Sequence, residues 1–335
     1  MTVKINKPAV NLREELNELK KPTGVAGEAM LRAETPQEQQ ALIGISGRRN
    51  FIMNGRGFID QRGKSGASLG AGEFGLDRWS SSTAGTTMTQ LSGGGFRSGR
   101  TSVAAWSRLS HRVEDCYNAI GTNELTISFD IKWNTHSGND NSMIYLRWLQ
   151  DNGTETGTPE ALDISKTGLS GKEKFTKTFT IPSDATNPKH LMILFYGSKG
   201  TSSTWDFELD NIQLELGKVA TPFEHRSYGE ELALCQRYYQ LNISNTAFTN
   251  SATSCRIGIS GVSQMRAQPS ITIVYATGVV EDFGIANRNL VSLGSLSPGG
   301  AGGTLGGAVD VTITSSSSSR SHILFAGSIG LDAEL

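Results

Sequence analysis

Residues 205–240, WDFELDNIQLELGKVATPFEHRSYGEELALCQRYYQ, contain the pattern that decides the fold. Apolar and acidic residues alternate at the start of this stretch, and a second apolar set follows at Ile212, Leu214 and Leu216 before Gly217. Alternation with a period of two places one set of side chains on a core face and the other in solvent. The stretch therefore predicts a long antiparallel strand that ends at Gly217.

A short helix is predicted directly after this strand. Ser227 and Glu230 form a capping box, because the hydroxyl and the carboxylate each satisfy a backbone donor at a helix start. Apolar side chains then recur at helical spacing along one side of residues 229–240. We interpret this region as the seam between two domains, or between subunits. The residues predicted for the seam are Phe223, Leu232, Cys235 and Tyr239.

The whole chain is predicted to be mainly β. It has 335 residues and 39 glycines, which suits two domains built from many short strands joined by turns. Alternating or apolar runs predict strands at residues 51–53, 125–134, 143–149, 175–181, 191–196, 256–260, 270–276 and 322–329. We predict an N-terminal α-helical arm (1–49), an antiparallel jelly-roll β-sandwich (50–227), a linking helix (228–241) and a small C-terminal β domain (242–335).

The N-terminal arm carries two well-capped helix starts, at Asn11 and at Thr35. Two short amphipathic helices cannot bury a core alone, so the arm needs a partner surface. We predict that it anchors the protein in an assembly; a flexible arm is the alternative. The apolar residues predicted for this anchor are Leu12, Leu16, Leu19 and Leu42.

Composition excludes several classes of protein. The formal net charge is −1 and Lys/Arg clusters are absent from the sequence, which argues against nucleic-acid binding. No apolar run approaches the roughly 20 residues that span a bilayer, so membrane insertion is not expected. The first residues, MTVKINKPAV, have no apolar core of a signal peptide. The three cysteines form no CxxC motif, which argues against a disulfide framework or a zinc site.

The sequence offers no catalytic motif and no clear metal site. No two of the five histidines stand at helical ligand spacing. Asp206, Glu208 and Asp210 share one strand face and are weak candidates for binding Ca²⁺, although a solvated sheet face carries the same residues. No pattern selects the carboxylate pair that a glycosidase needs. We therefore predict a protein without cofactor that is not an enzyme.

Four side chains are candidates for binding a glycan. Trp133, Trp148 and Trp205 lie on the apolar phase of their strands and are predicted to belong to the core. Polar and aromatic residues on the opposite phase could line a concave sheet face, with a subunit contact or plain solvent exposure as the alternatives. The four candidates are Asp130, Lys132, Tyr145 and Arg147.

Several segments resemble virion structural proteins of tailed bacteriophages, in particular tail fibre and receptor-binding proteins. The most specific resemblance is IQLELGKVATPFEHRSYGEELALCQRYYQ at 212–240. KPTGVAGEAMLRAETPQEQQALIG at 21–44 and RRNFIMNGRGFIDQRG at 48–63 resemble the arm and the first strand of that group. Shorter similarities are LSHRVED at 109–115, LTISFDIKW at 125–133 and LDAEL at 331–335.

The resemblance implies a jelly roll like that of carbohydrate-binding modules, homotrimeric assembly and a place in the virion. A tail fibre with a role in host attachment is the expected function. It would be assembled in the host bacterial cytoplasm and then be extracellular, with other virion proteins and a host glycan as partners. Two alternatives are a head fibre or decoration protein on the capsid without a receptor role, and a glycan-degrading tailspike. The tailspike is less favoured because the sequence lacks internal repeats.

Overall fold

The structure of the protein is a computed structural model in which part of the chain is described. The predicted arm residues Leu12, Leu16, Leu19 and Leu42 lie outside the described residues. The described residues are 32, 49–104, 106–114, 124–136, 142–150, 152–164, 171–180, 182–185, 188–197, 203–243, 247–251, 254–260, 265–267, 269–273, 279–282, 286–298, 306–313, 322–326 and 328–334.

Two antiparallel sheets form a β-sandwich. The first sheet contains β1 (Ser68–Leu69), β3 (Thr86–Gln90), β4 (Phe96–Ala104), β6 (Glu124–His136), β9 (Glu173–Thr180) and β11 (Ser203–Leu216). The second contains β2 (Trp79–Ser81), β5 (Arg108–Val113), β7 (Met143–Leu149), β8 (Glu155–Asp163) and β10 (His190–Tyr196). Their spatial orders are β1-β3-β4-β11-β6-β9 and β2-β5-β10-β7-β8.

One hydrophobic core fills the space between the two sheets. Trp205 and Phe207 of β11 stack with ring centroids 4.8 Å apart, and both are fully buried. Trp79, also fully buried, lies 5.3 Å from Phe96 and 5.8 Å from Phe195. Core-facing and outward-facing side chains alternate along the regular parts of the strands, because successive residues point to opposite faces of a sheet. The predicted mainly β fold is confirmed.

The strands predicted at 125–134, 143–149, 175–181 and 191–196 and the long strand before Gly217 are confirmed as β6, β7, β9, β10 and β11. The strand predicted at 51–53 is wrong. The side chain of Asn50 forms hydrogen bonds with the backbone of β11 that a neighbouring strand would form with its own backbone. Its amide Nδ2 donates to the Ile212 carbonyl (3.1 Å), and its Oδ1 accepts from the amide of Leu214 (3.1 Å). Strands β1 to β5 and β8 were not predicted, since they are short or poor in large apolar residues.

The predicted helix forms as α1 (Tyr228–Gln236), with the capping box of Ser227 and Glu230 in place. It ends earlier than predicted, at the cap residue Arg237. Tyr239 therefore does not belong to the helix; it begins β12 (Tyr239–Ile243). In the described part of the chain, no helix is long and apolar enough to cross a membrane.

The C-terminal region forms two further antiparallel groups. A three-stranded sheet has the order β12-β20-β15, with β15 (Ser270–Ile273) and β20 (Ser328–Asp332). A closed barrel consists of β13 (Ala247–Ser251), β14 (Ser254–Ser260), β16 (Val279–Asp282), β17 (Ala286–Pro298), β18 (Gly306–Ile313) and β19 (His322–Ala326). Three predicted strands are found in this region: 256–260 corresponds to β14, 270–276 to β15, and 322–329 to β19 together with β20. Strands β13, β16, β17 and β18 were not predicted.

Candidate functional site

The outer face of the five-stranded sheet carries an array of aromatic and cationic side chains. In the middle of this sheet β10 pairs with β5 on one side and with β7 on the other, so outward residues stand in rows across three strands. We call this surface the aromatic face. Its three rows are Arg108, Tyr196 and Met143; Ser110, Leu194 and Tyr145; and Arg112, Met192 and Arg147.

The aromatic side chains of this face are arranged in two layers. Tyr145 and Tyr196 meet edge to face, with ring centroids 5.3 Å apart, and both are buried. Trp106, in the turn between β4 and β5, lies 6.3 Å from Tyr196 and is 50% exposed. Its backbone has a positive φ of 62°, which is uncommon for a bulky residue. The turn thus holds a large aromatic ring at the surface, beside the buried ring of Tyr196.

Guanidinium groups border the aromatic rings. Nη1 of Arg108 donates to the Tyr196 hydroxyl (3.1 Å), and its guanidinium lies 5.3 Å from the centroid of that ring. Arg147 lies 5.9 Å from the ring centroid of Tyr145 and forms an ion pair with Glu155. These contacts fix planar groups, each with several N–H donors, beside apolar ring surfaces.

Arg112 differs from the other two arginines of the face. Within the described part of the chain its guanidinium has neither a hydrogen bond nor an ion pair. Burial, and then the positive charge of Arg78, lower the pKa of Arg112. A cation in this position is available to a ligand.

The structure separates the four predicted glycan-binding residues. Tyr145 and Arg147 belong to the aromatic face. Asp130 and Lys132 belong to β6 and lie on the outer face of the opposite, six-stranded sheet. The prediction that these four residues line one surface is therefore wrong. All four point away from the core, but β6 and β7 belong to different sheets, whose outer faces lie on opposite sides of the sandwich.

Salt bridges occupy the outer face of the six-stranded sheet. Lys132 Nζ lies 3.0 Å from Glu208 Oε1, and Asp130 accepts from Asn211 Nδ2 (2.7 Å). Asp206 pairs with Arg97 and accepts from Asn134. These polar side chains of the face form a network of ion pairs and hydrogen bonds with one another, so they are not free to bind a sugar ring.

The three weak candidates for binding Ca²⁺ all belong to this network of ion pairs. Asp210 pairs with Arg56 (3.0 Å) and Lys172 (2.8 Å). Although burial acts to raise the pKa of Asp210, hydrogen bonds from these two cations lower it below its ordinary value. Among the described residues no group of three His, Cys, Asp or Glu side chains could hold a metal ion. Asp206, Glu208 and Asp210 act as partners of basic side chains.

Three of the four predicted seam residues pack against the segment that precedes the sandwich. Cys235 is fully buried beside Met53 and Ile59, with Leu232 against the same small cluster. Tyr239 lies under the guanidinium of Arg62, 3.8 Å from its ring centroid. Phe223 packs edge to face with His225 at 5.1 Å, and both line a pocket with Phe58 of the same segment.

A buried ionic cluster lies beside this seam. Arg78 is 1% exposed; it contacts Glu334 and stacks 3.5 Å above the ring of Tyr238. Arg62 pairs with Asp332 (3.0 Å) and Glu334 (3.4 Å). The cluster joins the C-terminal segment to the sandwich and to α1.

Sequence patterns did not identify Trp106, Arg108 or Tyr196. A usable signal existed for Arg108, because the run 108–113 alternates and places Arg108 opposite to the core phase. The run 190–196 is apolar on both faces, so it gave no phase for Tyr196. Trp106 lies in a turn, where periodicity carries no information.

Comparisons with known proteins give similarities of structure only. No family model matches the chain, and no curated protein matches it. The enzymatically active domain of tailspike protein 4 of bacteriophage CBA120 is similar over 50% of this chain and 21% of its own, at 15% identity and a TM-score of 0.33. This chain thus spans about a fifth of that tailspike domain.

Two further similar structures cover comparable shares of the chain. The family 11 carbohydrate-binding module of a cellulosomal cellulase of Clostridium thermocellum matches 48% of this chain and 96% of its own, at 17% identity and a TM-score of 0.30. The tripod from the baseplate of bacteriophage Tuc2009 matches 50% of this chain and 77% of its own, at 14% identity and a TM-score of 0.27.

Proposed function

We propose that this protein is a non-enzymatic structural protein of a tailed-phage virion, a tail fibre that binds a host-surface glycan through the aromatic face. The observation that carries the glycan part of the proposal is the half-exposed ring of Trp106 beside the buried ring of Tyr196, which contacts Tyr145 and Arg108, with Arg147 beside Tyr145. The virion part rests on the sequence resemblance of residues 21–63 and 212–240.

The chemistry of the aromatic face suits a sugar. One side of a pyranose ring presents C–H groups, which pack on an aromatic ring, and its edge presents hydroxyl groups. Binding sites combine such apolar surfaces with a few fixed polar groups that set orientation. Trp106 supplies the apolar surface, and the guanidinium groups of Arg108 and Arg147 supply the fixed donors.

Binding without hydrolysis is the form of activity that the face supports. A glycosidase needs two carboxyl groups flanking the scissile bond. Glu155, the carboxylate beside Arg147, is held in an ion pair with it. Release of reducing sugars from host polysaccharide would contradict this part of the proposal and favour a tailspike.

We further propose a homotrimer that is anchored to the particle through residues 1–49, including Leu12, Leu16, Leu19 and Leu42. Both features come from the resemblance and from the amphipathic pattern of the arm. Deletion of residues 1–49 is expected to abolish incorporation into particles. A deletion variant that still joined particles would refute the anchor, and a monomer mass by light scattering would refute the trimer.

Glycan binding is tested with Trp106→Asn, because asparagine tolerates the positive φ at this position. On a bacterial glycan array, binding is expected to be about five- to tenfold weaker in the variant than in the wild type, since an aromatic contact is worth on the order of 1–1.5 kcal/mol. Lys132→Gln, on the opposite sheet, is the control and should bind as the wild type does. Equal binding by both variants would refute the proposed face.

A capsid-bound fibre or decoration protein without receptor role is the second candidate. It is favoured by exposed aromatic residues near α1, because Phe58 is 41% and Tyr228 is 62% exposed. They line one pocket together with Phe223 and His225. Exposed apolar groups of this kind suit a contact with another virion protein. Particle reconstruction showing the protein on the head would favour this alternative.

A further inference from the structure

The aromatic face carries more positive charge than a site for a neutral sugar requires. Arg108 and Arg112 of β5 and Arg147 of β7 all point outward from the five-stranded sheet. Glu155 is the carboxylate paired with one of them, and neither Arg108 nor Arg112 contacts a carboxylate in the described part of the chain. Asp163 stands at the edge of the sheet, opposite Met143.

Arg112 and Arg147 flank the same residue of the central strand. Met192 of β10 pairs with Arg112 of β5 and with Arg147 of β7. Neighbouring strands lie about 4.8 Å apart, so the two Cα atoms are separated by roughly 10 Å. Two long side chains at this distance can place their guanidinium groups on either side of one anionic group.

A cluster of charged residues lies beside Arg112, in which Arg78 and Arg266 act against its positive charge and Glu334 acts in favour of it. The cluster contains the guanidinium groups of Arg62, Arg78, Arg237 and Arg266 and the carboxylates of Asp77, Glu114, Asp332 and Glu334. These four cations and four anions pair among themselves. Arg112 is the fifth cation and the one whose side chain belongs to the outer face.

We infer that the ligand of the aromatic face is an acidic glycan, whose carboxylate or phosphate is held between Arg112 and Arg147 while a sugar ring packs on Trp106. The inference rests on the proposed function, because it names the class of glycan for the same face. Residues 108 and 112 are four positions apart on β5, about 13 Å. The site therefore spans an oligosaccharide rather than one sugar.

The test uses the full-length protein and a microbial glycan array that displays acidic and neutral polysaccharides. The strongest ligand is expected to be acidic. Affinity for it is then measured beside its neutral form, carboxyl-reduced or dephosphorylated, which also distinguishes the two kinds of anion. We expect removal of the anion to weaken binding by about ten- to a hundredfold, the usual value of a hydrogen bond to a charged group.

Variants assign the effect to the arginine pair. Arg112→Gln is expected to lose the same ten- to hundredfold on the native ligand and to bind the neutral form as the wild type does, while Arg112→Lys retains part of the affinity. Arg97→Gln, on the outer face of the six-stranded sheet, is the matched control with unchanged binding. Urea unfolding of each variant confirms that it is folded.

Two results would overturn the inference in distinguishable ways. Equal affinity for the native and neutral forms, with Trp106→Asn still weakening both, would exclude an acidic ligand and leave the proposed function standing. Absence of binding to any glycan would refute the proposed function and the inference together.

Discussion

Tyr196 is buried by a different mechanism from the core residues beside it. Its side chain points away from the sandwich core, yet it is 1% exposed, because Tyr145, Trp106 and Arg108 pack around it. Phe195, the preceding residue, is equally buried but in the core between the sheets. The aromatic face is thus a second, smaller packed cluster, and Trp106 is its most exposed aromatic side chain.

His111 is expected to make stability depend on pH. It is fully buried against Trp79 (4.8 Å), and Nε2 lies 2.9 Å from the Met53 carbonyl oxygen. Burial, followed by the charge of Arg78, lowers the pKa of His111 to about 3. The unfolded chain, with a pKa near 6.5, takes up this proton first, so stability is present above pH 6.5 and is lost as the pH falls towards 3.

The measurement compares the wild type with His111→Gln by urea unfolding at pH 7 and pH 5. The difference in unfolding free energy between them is expected to shrink by about 2 kcal/mol at the lower pH. Asp77 has the opposite effect, because burial raises its pKa to about 6 and it therefore favours folding as the pH falls below 6. Both proteins contain Asp77, so its contribution cancels in the difference between them. A difference independent of pH would contradict the prediction.

Gly197 is required by its contact with Trp205. A Cβ atom at this position would lie 2.2 Å from Cδ2 of the indole, which is itself fully buried. Gly197→Ala is expected to lower the unfolding free energy by about 1–3 kcal/mol through overpacking. Gly93→Ala, where a Cβ atom would meet nothing within 4 Å, is the control and should stay within about 0.5 kcal/mol. Equal stability of the two variants in urea would be inconsistent with this contact.

At the scale of elements, β11 organises the six-stranded sheet. It has 14 residues and pairs with β4 on one side and β6 on the other. Its core-facing residues have odd numbers up to Leu209 and even numbers from Ile212 onward. A bulge between Asp210 and Gln213 absorbs the extra residue. The two apolar sets seen in the sequence therefore belong to one strand, and the bulge between them keeps both sets facing the core.

The bulge depends on Asn211, whose φ is 51°. Asparagine is among the few residues other than glycine that tolerate this conformation, and β-branched residues are not. Asn211→Val is expected to cost about 1–3 kcal/mol of unfolding free energy. Asn211→Gly loses the hydrogen bond to Asp130 but keeps the conformation, so it should cost less. A valine variant as stable in urea as the glycine variant would argue against strain at the bulge.

At the scale of the whole molecule, distant parts of the chain meet beside α1. Glu224 accepts hydrogen bonds from the amides of Arg49 and Asn50. The C-terminal Glu334 contacts Arg78, which is 256 positions away in sequence. These contacts bring together residues 49–62, the region of α1 and residues 331–334 against the sandwich. We call this contact region the joint.

Glu334→Gln tests the strength of this joint. The substitution leaves Arg78 buried without its counter-charge, which typically costs about 3–5 kcal/mol. Arg97→Gln removes a partner from the Asp206 pair, in which the arginine is 53% exposed, and should cost less than about 1 kcal/mol. Urea unfolding of both variants gives the comparison; similar costs would mean that the cluster contributes little to the joint.

The site was predictable in part. Alternation in 143–149 correctly placed Tyr145 and Arg147 outward and Trp148 in the core. It could not assign Asp130 and Lys132 to the other sheet, because periodicity fixes the face of a strand but not its neighbours. Trp106 was beyond such reasoning, since a turn has no period. The helix boundary at Gln236 was missed because Tyr239 satisfies helical spacing as well as strand pairing.

Local sequence patterns were sufficient to predict the mainly β architecture, the main strands of the sandwich, the capped start of α1 and the burial of the tryptophans on the apolar phase. These features depend on residues near one another in the chain, so local spacing encodes them. The tertiary structure alone decided which outward faces share a surface, that the acidic residues of β11 have basic partners, and that Glu334 reaches Arg78. These features depend on strand pairing and packing between residues far apart in the chain, which local patterns do not specify.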